Sequence, residues 1–292
     1  MSSMETQRGC DITCELFGRS AQFFEVHIVP HWQEVYDALV NRAGIMLGSR
    51  VLDVGSGTGE VALRLCRIVG QSGQVVAVDA MEEMLTIARK KAHAQGVANL
   101  ELKQCRLEGL TFLDATFDRV LGNYSLCCCL DYKTSLSEIL RVLKPGGRLV
   151  YNHGGPTDSL EDQISFRILE KFMTASPSRR LVEIRESDAA QSQAVEKYRD
   201  PFVVLDLMRA LGYDDASATI AERVIRYANP EEYVDRLLGF DWRAEADEMT
   251  RSDLESLRSE SVEALRPVGK GPGFQVRDKM VFFSGLRPEA QK

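Results

Sequence analysis

The stretch RVLDVGSGTGE, residues 50–60, constrains this chain more than any other. An apolar run breaks into Gly55, Gly57 and Gly59, and apolar residues then recur at Val61, Leu65, Cys66 and Val69. A buried strand, a glycine turn and a helix in that order form the first half of a strand–helix–strand unit. Glycines at the turn mark a backbone that must bend sharply or come close to a ligand. The chain is therefore expected to carry a parallel sheet with a binding site beyond the carboxyl end of its first strand.

The following hundred residues keep the alternation. Gln74–Asp79 reads as a second strand, and Met81, Met84, Leu85, Ala88 and Ala92 as a second helical stripe. Leu100 and Leu102 mark a third strand and Phe117–Leu121 a fourth. Leu136, Ile139, Leu140 and Leu143 mark a helix closed by Pro145-Gly146-Gly147, and Arg148–Asn152 a fifth strand. Two further strands are read at 218–227 and 276–288. The expected fold is α/β, a Rossmann-like seven-stranded, mostly parallel sheet with helices on both faces, plus a helical cap and inserts. Residues 1–48 form the cap, with Phe23, Phe24, Trp32 and Tyr36 on helical segments. Residues 49–155 form the core, and 156–292 supply helical inserts and the last strands, all within one structural domain. Asn229 and Pro230 open one of the later helices, and 244–266 is charged and helical.

Composition excludes several functions. Net charge is −7, from 36 basic and 43 acidic residues, which disfavours nucleic-acid binding by phosphate neutralisation. No apolar run is long enough to span a bilayer, and the first residues lack a signal-peptide pattern, so a cytoplasmic protein is expected. The seven cysteines (Cys10, Cys14, Cys66, Cys105, Cys127, Cys128 and Cys129) are odd in number, without framework spacing. Cys127–Cys129, read as strand, would point to alternate faces and behave as small hydrophobes, so no metal site is expected.

Two cofactor classes use such a glycine turn. A dinucleotide wants a third glycine at the position of Glu60, and a carboxylate would repel a pyrophosphate there. Asp79, at the end of the second strand, reads either as a ribose-binding carboxylate or as a solvated, helix-capping one. Its placement beside the glycine turn favours ribose.

VLDVGSGTG (51–59), VVAVDAMEEMLTIARKKA (75–92), FDRVLGNYSL (117–126) and LRVLKPGGRLVY (140–151) together resemble the class I S-adenosylmethionine-dependent methyltransferases, in particular the ubiquinone and menaquinone biosynthesis branch with its many small-molecule enzymes. The resemblance spans about a hundred residues and implies fold and cofactor more specifically than substrate. It implies that Asp53, Gly55, Ser56, Gly57 and Gly59 hold the methionine moiety. Asp79 would take the ribose hydroxyls, Ala80 and Met81 would pack on adenine, and Asn123 and Tyr124 would lie near the activated methyl. Arg106 stands where the family commonly has an aspartate, so the adenine amino group falls to the backbone at Leu107 or to Glu108. Beside a sulfonium, rather than a pyrophosphate, Glu60 is tolerable and favours the cation.

Methyl transfer is an in-line displacement that chiefly needs alignment and exclusion of water, with a base only if the acceptor loses a proton. His153, at the end of the fifth strand, is the first candidate base. His27 and His31 on the cap are alternatives, Tyr124 is a further catalytic candidate, and His93 is expected on an exposed helix face. The expected activity is methylation of an oxygen, nitrogen or carbon of a small organic acceptor, a metabolite or natural product. The other reading is a non-catalytic S-adenosylmethionine-binding protein, or an enzyme using this cofactor for another reaction. A tRNA or protein methyltransferase is disfavoured by the charge and by GNYS in place of an N-P-P-Y motif. Oligomeric state is left open, a homodimer included.

Overall fold

The computed structural model describes residues 12, 15–129, 131–155, 159–268 and 273–289; Cys10 and Cys14 lie outside them. Seven strands, β1 (Arg50–Val54), β2 (Gln74–Asp79), β3 (Leu100–Gln104), β4 (Phe117–Asn123), β5 (Leu143–Gly154), β6 (Asp214–Tyr227) and β7 (Phe274–Leu286), form one sheet in the order β3-β2-β1-β4-β5-β7-β6. The pairs β1–β2, β1–β4, β2–β3 and β4–β5 are parallel, and β5–β7 is antiparallel. Strand order reverses at β1, so the carboxyl ends of β1, β2 and β4 open a crevice there.

β1 and β2 are buried at almost every position. Their near-continuous Val, Leu and Ala runs suit strands covered by helices on both faces. The helices of the first half are α1 (Ala21–His27), α2 (Gln33–Arg42), α3 (Glu60–Val69), α4 (Glu82–Ala94) and α5 (Tyr132–Val142). The second half adds α6 (Leu160–Phe172), α7 (Arg179–Glu196), α8 (Pro201–Ala210), α9 (Pro230–Arg236), α10 (Arg243–Ala246) and α11 (Arg251–Leu265). Several start on side-chain caps, as when Asp131 accepts from the amides of Lys133 and Thr134 at 3.0 and 3.1 Å, and Asn229 from Glu232 at 2.9 Å.

The chain groups into two compact units, each drawn from three stretches. The larger comprises Gln33–Gly154, Gln191–Ala221 and Met280–Lys292. In it Leu52, Val54, Val76, Val78 and Val120 of the sheet pack with Leu136 and Ile139 of α5 and Val204 and Met208 of α8. The smaller comprises Met1–Trp32, Gly155–Ala190 and Glu222–Lys279. Its own core joins Ile168 and Leu169 of α6, Tyr233 and Val234 of α9 and Leu257 and Leu265 of α11, with Phe274.

Two local expectations are corrected. Pro145-Gly146-Gly147 does not close a helix, because α5 already ends at Val142 and β5 begins at Leu143, running through the irregular KPGG segment. The charged segment 244–266 is helical as expected, in two pieces: α10 ends at Ala246 and α11 starts at Arg251, capped by Thr250. The cysteine run is not strand. β4 stops at Asn123 and residues Leu126–Cys128 form one 3₁₀ turn; the Cys127 and Cys128 thiols turn back to the Tyr124 carbonyl and the Cys129 thiol to that of Leu126. No group of His, Cys, Asp and Glu among the described residues could hold a metal ion.

Candidate functional site

The glycine turn leaves β1 with three left-handed residues: φ is +63° at Gly55, +53° at Gly57 and +86° at Gly59. A Cβ at Gly55 would sit 2.3 Å from Ser125 Cβ, and one at Gly59 would sit 2.9 Å from Ala88 Cβ of α4. Both positions are glycine because neighbouring elements pack against the bare backbone. A Cβ at Gly57 would meet no atom within 4 Å. Gly57 therefore presents its backbone to open space.

Asp79 ties this turn to the end of β2. One carboxylate oxygen accepts from the Gly57 amide at 2.7 Å and the other from the Met81 amide at 2.9 Å. It is 3% exposed, and burial raises its pKa against the opposing pull of the Met81 and Gly57 amides. Ala80 accepts from Gln104 Nε2 at 2.8 Å and, with the half-buried Met81, forms the rim beside it. On the next strand end, Leu107 is buried in a 3₁₀ turn, Leu107–Gly109. The half-buried Arg106 and Glu108 flank it, Glu108 accepting from the Asp131 amide at 3.3 Å.

Among the described residues, Asp53 Oδ2, Ser56 Oγ, Thr58 Oγ1 and Ser125 Oγ are buried without a hydrogen-bond partner. All four lie at or next to the glycine turn, where an unpaired buried polar atom carries a desolvation cost of about 1–3 kcal/mol. An amino-acid moiety with an ammonium to donate and a carboxylate to accept matches this donor and acceptor set. With the open face of Gly57, these residues fit S-adenosylmethionine. Asp53 is 1% exposed, and burial, opposed by the Ala62 amide and reinforced by Asp79, pushes its pKa to about 8. The folded state thus keeps a proton that the unfolded chain, at the ordinary 3.8, gives up. This contribution to stability is complete below the unfolded value and is lost as pH rises through about 8. Asp53→Asn removes the titration, so its melting temperature should gain on the wild type by several degrees from about pH 6 to about pH 9. A gap that stays constant with pH in calorimetric scans would show that Asp53 is ionised throughout.

Glu60 is not available to a sulfonium. Its carboxylate pairs with Arg64 at 2.7 Å and with Lys91. Burial pushes the carboxyl up, but hydrogen bonds and charges from Lys91 and Arg64 outweigh it and hold the pKa below the usual range. Arg64 in turn binds Asp37 on α2 at 2.7 Å, so the network is structural.

At the end of β4, Tyr124 holds a left-handed φ of +51°. Its amide donates to both the backbone oxygen of Asn152 (3.1 Å) and the Asn152 Oδ1 (3.0 Å), and Asn152 Nδ2 donates to Asn123 Oδ1 at 3.0 Å. Asn123 and Asn152 are register partners on β4 and β5. Asn152, fully buried, was not legible as a site residue; its one signal is an amide set among apolar strand residues, where it requires partners. His153 follows it, 3% exposed, among the rings of Tyr132, Tyr151 and Phe283. Its Nδ1–H donates to the Gly154 carbonyl at 2.7 Å, which leaves Nε2 as an acceptor, and among the described residues that atom has no partner. Burial lowers its pKa from 6.5, the Gly154 bond opposes and Arg199 adds to the fall, so the ring is neutral near pH 7.

The other histidines are placed differently. His93 is exposed on α4, as expected. His27 is exposed and stacked on Phe23 with 4.3 Å between ring centroids. His31 Nδ1–H donates to the Arg226 carbonyl at 2.7 Å, and Nε2 lies 3.6 Å from Glu232. His27 and His31 belong to the smaller unit, whereas His153, Tyr124 and the glycine turn belong to the larger.

Comparisons with known proteins agree with this geometry. Residues 22–171 match the model of the ubiE/COQ5 methyltransferase family. The ubiquinone/menaquinone biosynthesis C-methyltransferase UbiE of Marinomonas sp. (strain MWYL1) is 31% identical over 184 residues, covering 61% of this chain and 71% of that protein. The YcgJ protein from Bacillus subtilis superposes with a TM-score of 0.55 at 18% identity, covering 88% of this chain and 99% of that one. A Haemonchus contortus phosphoethanolamine N-methyltransferase 2, solved with phosphomonomethylethanolamine and S-adenosylhomocysteine, gives a TM-score of 0.54 at 20% identity over 88% of this chain and 53% of its own. These two likenesses establish the fold. The strand order, the turn that presents Gly57 and the family match converge: the chain belongs to the ubiE/COQ5 methyltransferase family and is an S-adenosylmethionine-dependent methyltransferase.

Proposed function

We propose that this enzyme methylates a small organic acceptor that must lose a proton as it reacts, a phenol, an enol or an acidic carbon, and that His153 takes that proton. The observation that carries the proposal is the buried, neutral His153 at the carboxyl end of β5, whose Nε2 has no partner among the described residues. A similar relative is named a C-methyltransferase, and carbon methylation of a ring requires loss of a proton. The net charge of −7 suits a small acceptor better than a nucleic acid.

In this reading Asp53, Ser56, Thr58 and the turn Gly55–Gly59 hold the amino-acid end of S-adenosylmethionine, and Asp79 accepts from its ribose. Ala80, Met81 and Leu107 enclose the base, with Arg106 and Glu108 at its polar edge. When bound, the cofactor supplies a methyl group already activated on a sulfonium. Asn123 and Tyr124 orient the reacting partners, and the closely packed strand ends exclude water from them. His153 Nε2 accepts the acceptor's proton while Gly154 fixes the ring's tautomer.

A base of this kind contributes about 10²–10⁴-fold. His153→Ala should therefore lower turnover by that factor with a hydroquinone or catechol acceptor, read as S-adenosylhomocysteine release. Cofactor affinity should hardly change. Wild-type kcat/KM should fall as pH drops through a value below 6.5, because protonation removes the lone pair. A flat acid limb, or a His153→Ala variant with wild-type turnover, would remove His153 from the mechanism.

A further inference from the structure

The buried amide of Asn152 makes three hydrogen-bond contacts with the end of β4, counting its backbone oxygen, and no sequence motif announced it. A left-handed φ of +51° is costly for tyrosine, about 1–2 kcal/mol, and persists only where surrounding structure imposes it. Two groups impose it here. Asn152 captures the Tyr124 amide from one side through two oxygens, at 3.0 and 3.1 Å. On the other, Ser125 is wedged against glycine backbone: a Cβ at Gly55 would come within 2.3 Å of Ser125 Cβ, and one at Gly122 within 2.6 Å of Ser125 Oγ.

The Asn152 amide cannot be flipped. Its oxygen must face the Tyr124 N–H, so its nitrogen must face Asn123 Oδ1, at 3.0 Å. That bond in turn fixes which end of the Asn123 amide the protein takes up. One side chain thus sets both the backbone angle at residue 124 and the end by which the amide of residue 123 is held.

We infer that Asn152 is a positioning residue for methyl transfer, acting through Asn123 and Tyr124 on the methyl-bearing end of the cofactor. This rests on the reading of Asn123 and Tyr124 as neighbours of that methyl, and not on the identity of the acceptor. In-line transfer is sensitive to misplacement of the reacting atoms by about 1 Å, at a cost of about 10²-fold. Yet a residue that fixes only the methyl end should leave overall cofactor affinity nearly alone.

The test needs no acceptor. S-adenosylmethionine labelled with ¹³C at the methyl is bound to wild type, Asn152→Ala and Asn152→Asp, the methyl resonance is recorded, and Kd is measured by calorimetry. In Asn152→Ala the bound resonance should leave its wild-type position and move towards that of the free cofactor, with Kd within about threefold. In Asn152→Asp, a protonated carboxyl can accept from Tyr124 and donate to Asn123 as the amide does. The resonance should then coincide with wild type at low pH and depart from it as the carboxyl ionises. Should Asn152→Ala fail to fold, this pH dependence alone carries the test. An unmoved resonance in the variants, or a loss of affinity with the resonance retained, overturns the inference. Failure of hydroquinones and catechols as acceptors would count against the proposed acceptor class and leave this result untouched.

Discussion

Gly57→Val is expected to abolish measurable binding of S-adenosylmethionine, at least a hundredfold loss in Kd, while the far-ultraviolet circular dichroism stays that of the wild type. The expectation comes from the difference between the three glycines. At Gly57 a new side chain meets no protein atom within 4 Å, so the strain is confined to a φ of +53°. That strain is about 1–2 kcal/mol, tolerable for a core of this size. In the proposed reading the side chain instead enters the space that the cofactor takes up. Gly55→Ala should behave oppositely: its Cβ falls 2.3 Å from Ser125 Cβ, at a φ of +63°. Overpacking and a left-handed alanine together cost about 3 kcal/mol or more, so that variant should lose stability before it loses a ligand. Retained binding by Gly57→Val in calorimetry would make the whole turn a packing device.

Asp79→Ala should weaken S-adenosylmethionine by about ten- to a hundredfold, through the loss of charge-assisted bonds worth about 1.5–3 kcal/mol. The structure adds a second route to the same loss. Asp79 also accepts from the amides of Gly57 and Met81, so alanine frees both sides of the crevice. Asp79→Asn separates the contributions, since its one remaining acceptor oxygen can serve Gly57 or Met81 but not both. An affinity unchanged in both variants would exclude Asp79 from the cofactor site.

Legibility in the sequence followed local physics. β1 and β2 lie at the residues expected, Arg50–Val54 and Gln74–Asp79, because each is a mainly apolar, buried run that leads into a turn. The glycine turn and Asp79 were legible because their spacing is imposed by a strand–helix–strand crossover. What escaped depends on residues far apart in the chain. Glu60 reads as a free carboxylate until Lys91 arrives from α4. Cys127–Cys129 read as strand because cysteine carries little turn signal, and what ends β4 is the left-handed Tyr124, a residue with no such preference. Asn152 owes its meaning to Asn123 and Tyr124, twenty-nine and twenty-eight positions earlier. The place of His153 at the end of β5 was legible, but its burial among Tyr132, Tyr151 and Phe283 was not.

Each compact unit is stitched from three separated stretches. The larger unit has its last stretch at Met280–Lys292, which contains the antiparallel neighbour of β5, with Asn152 opposite Phe282 and His153 opposite Val281. The smaller has its last stretch ending at Lys279. Neither unit therefore has all its parts until the stretches that end at Lys279 and begin at Met280 have been made. Early-made pieces must wait, exposing the edge of β5, for closures that span more than a hundred positions. Long-range closure of this kind slows folding and lengthens exposure to aggregation. Such interleaving therefore bears on how fast the chain folds.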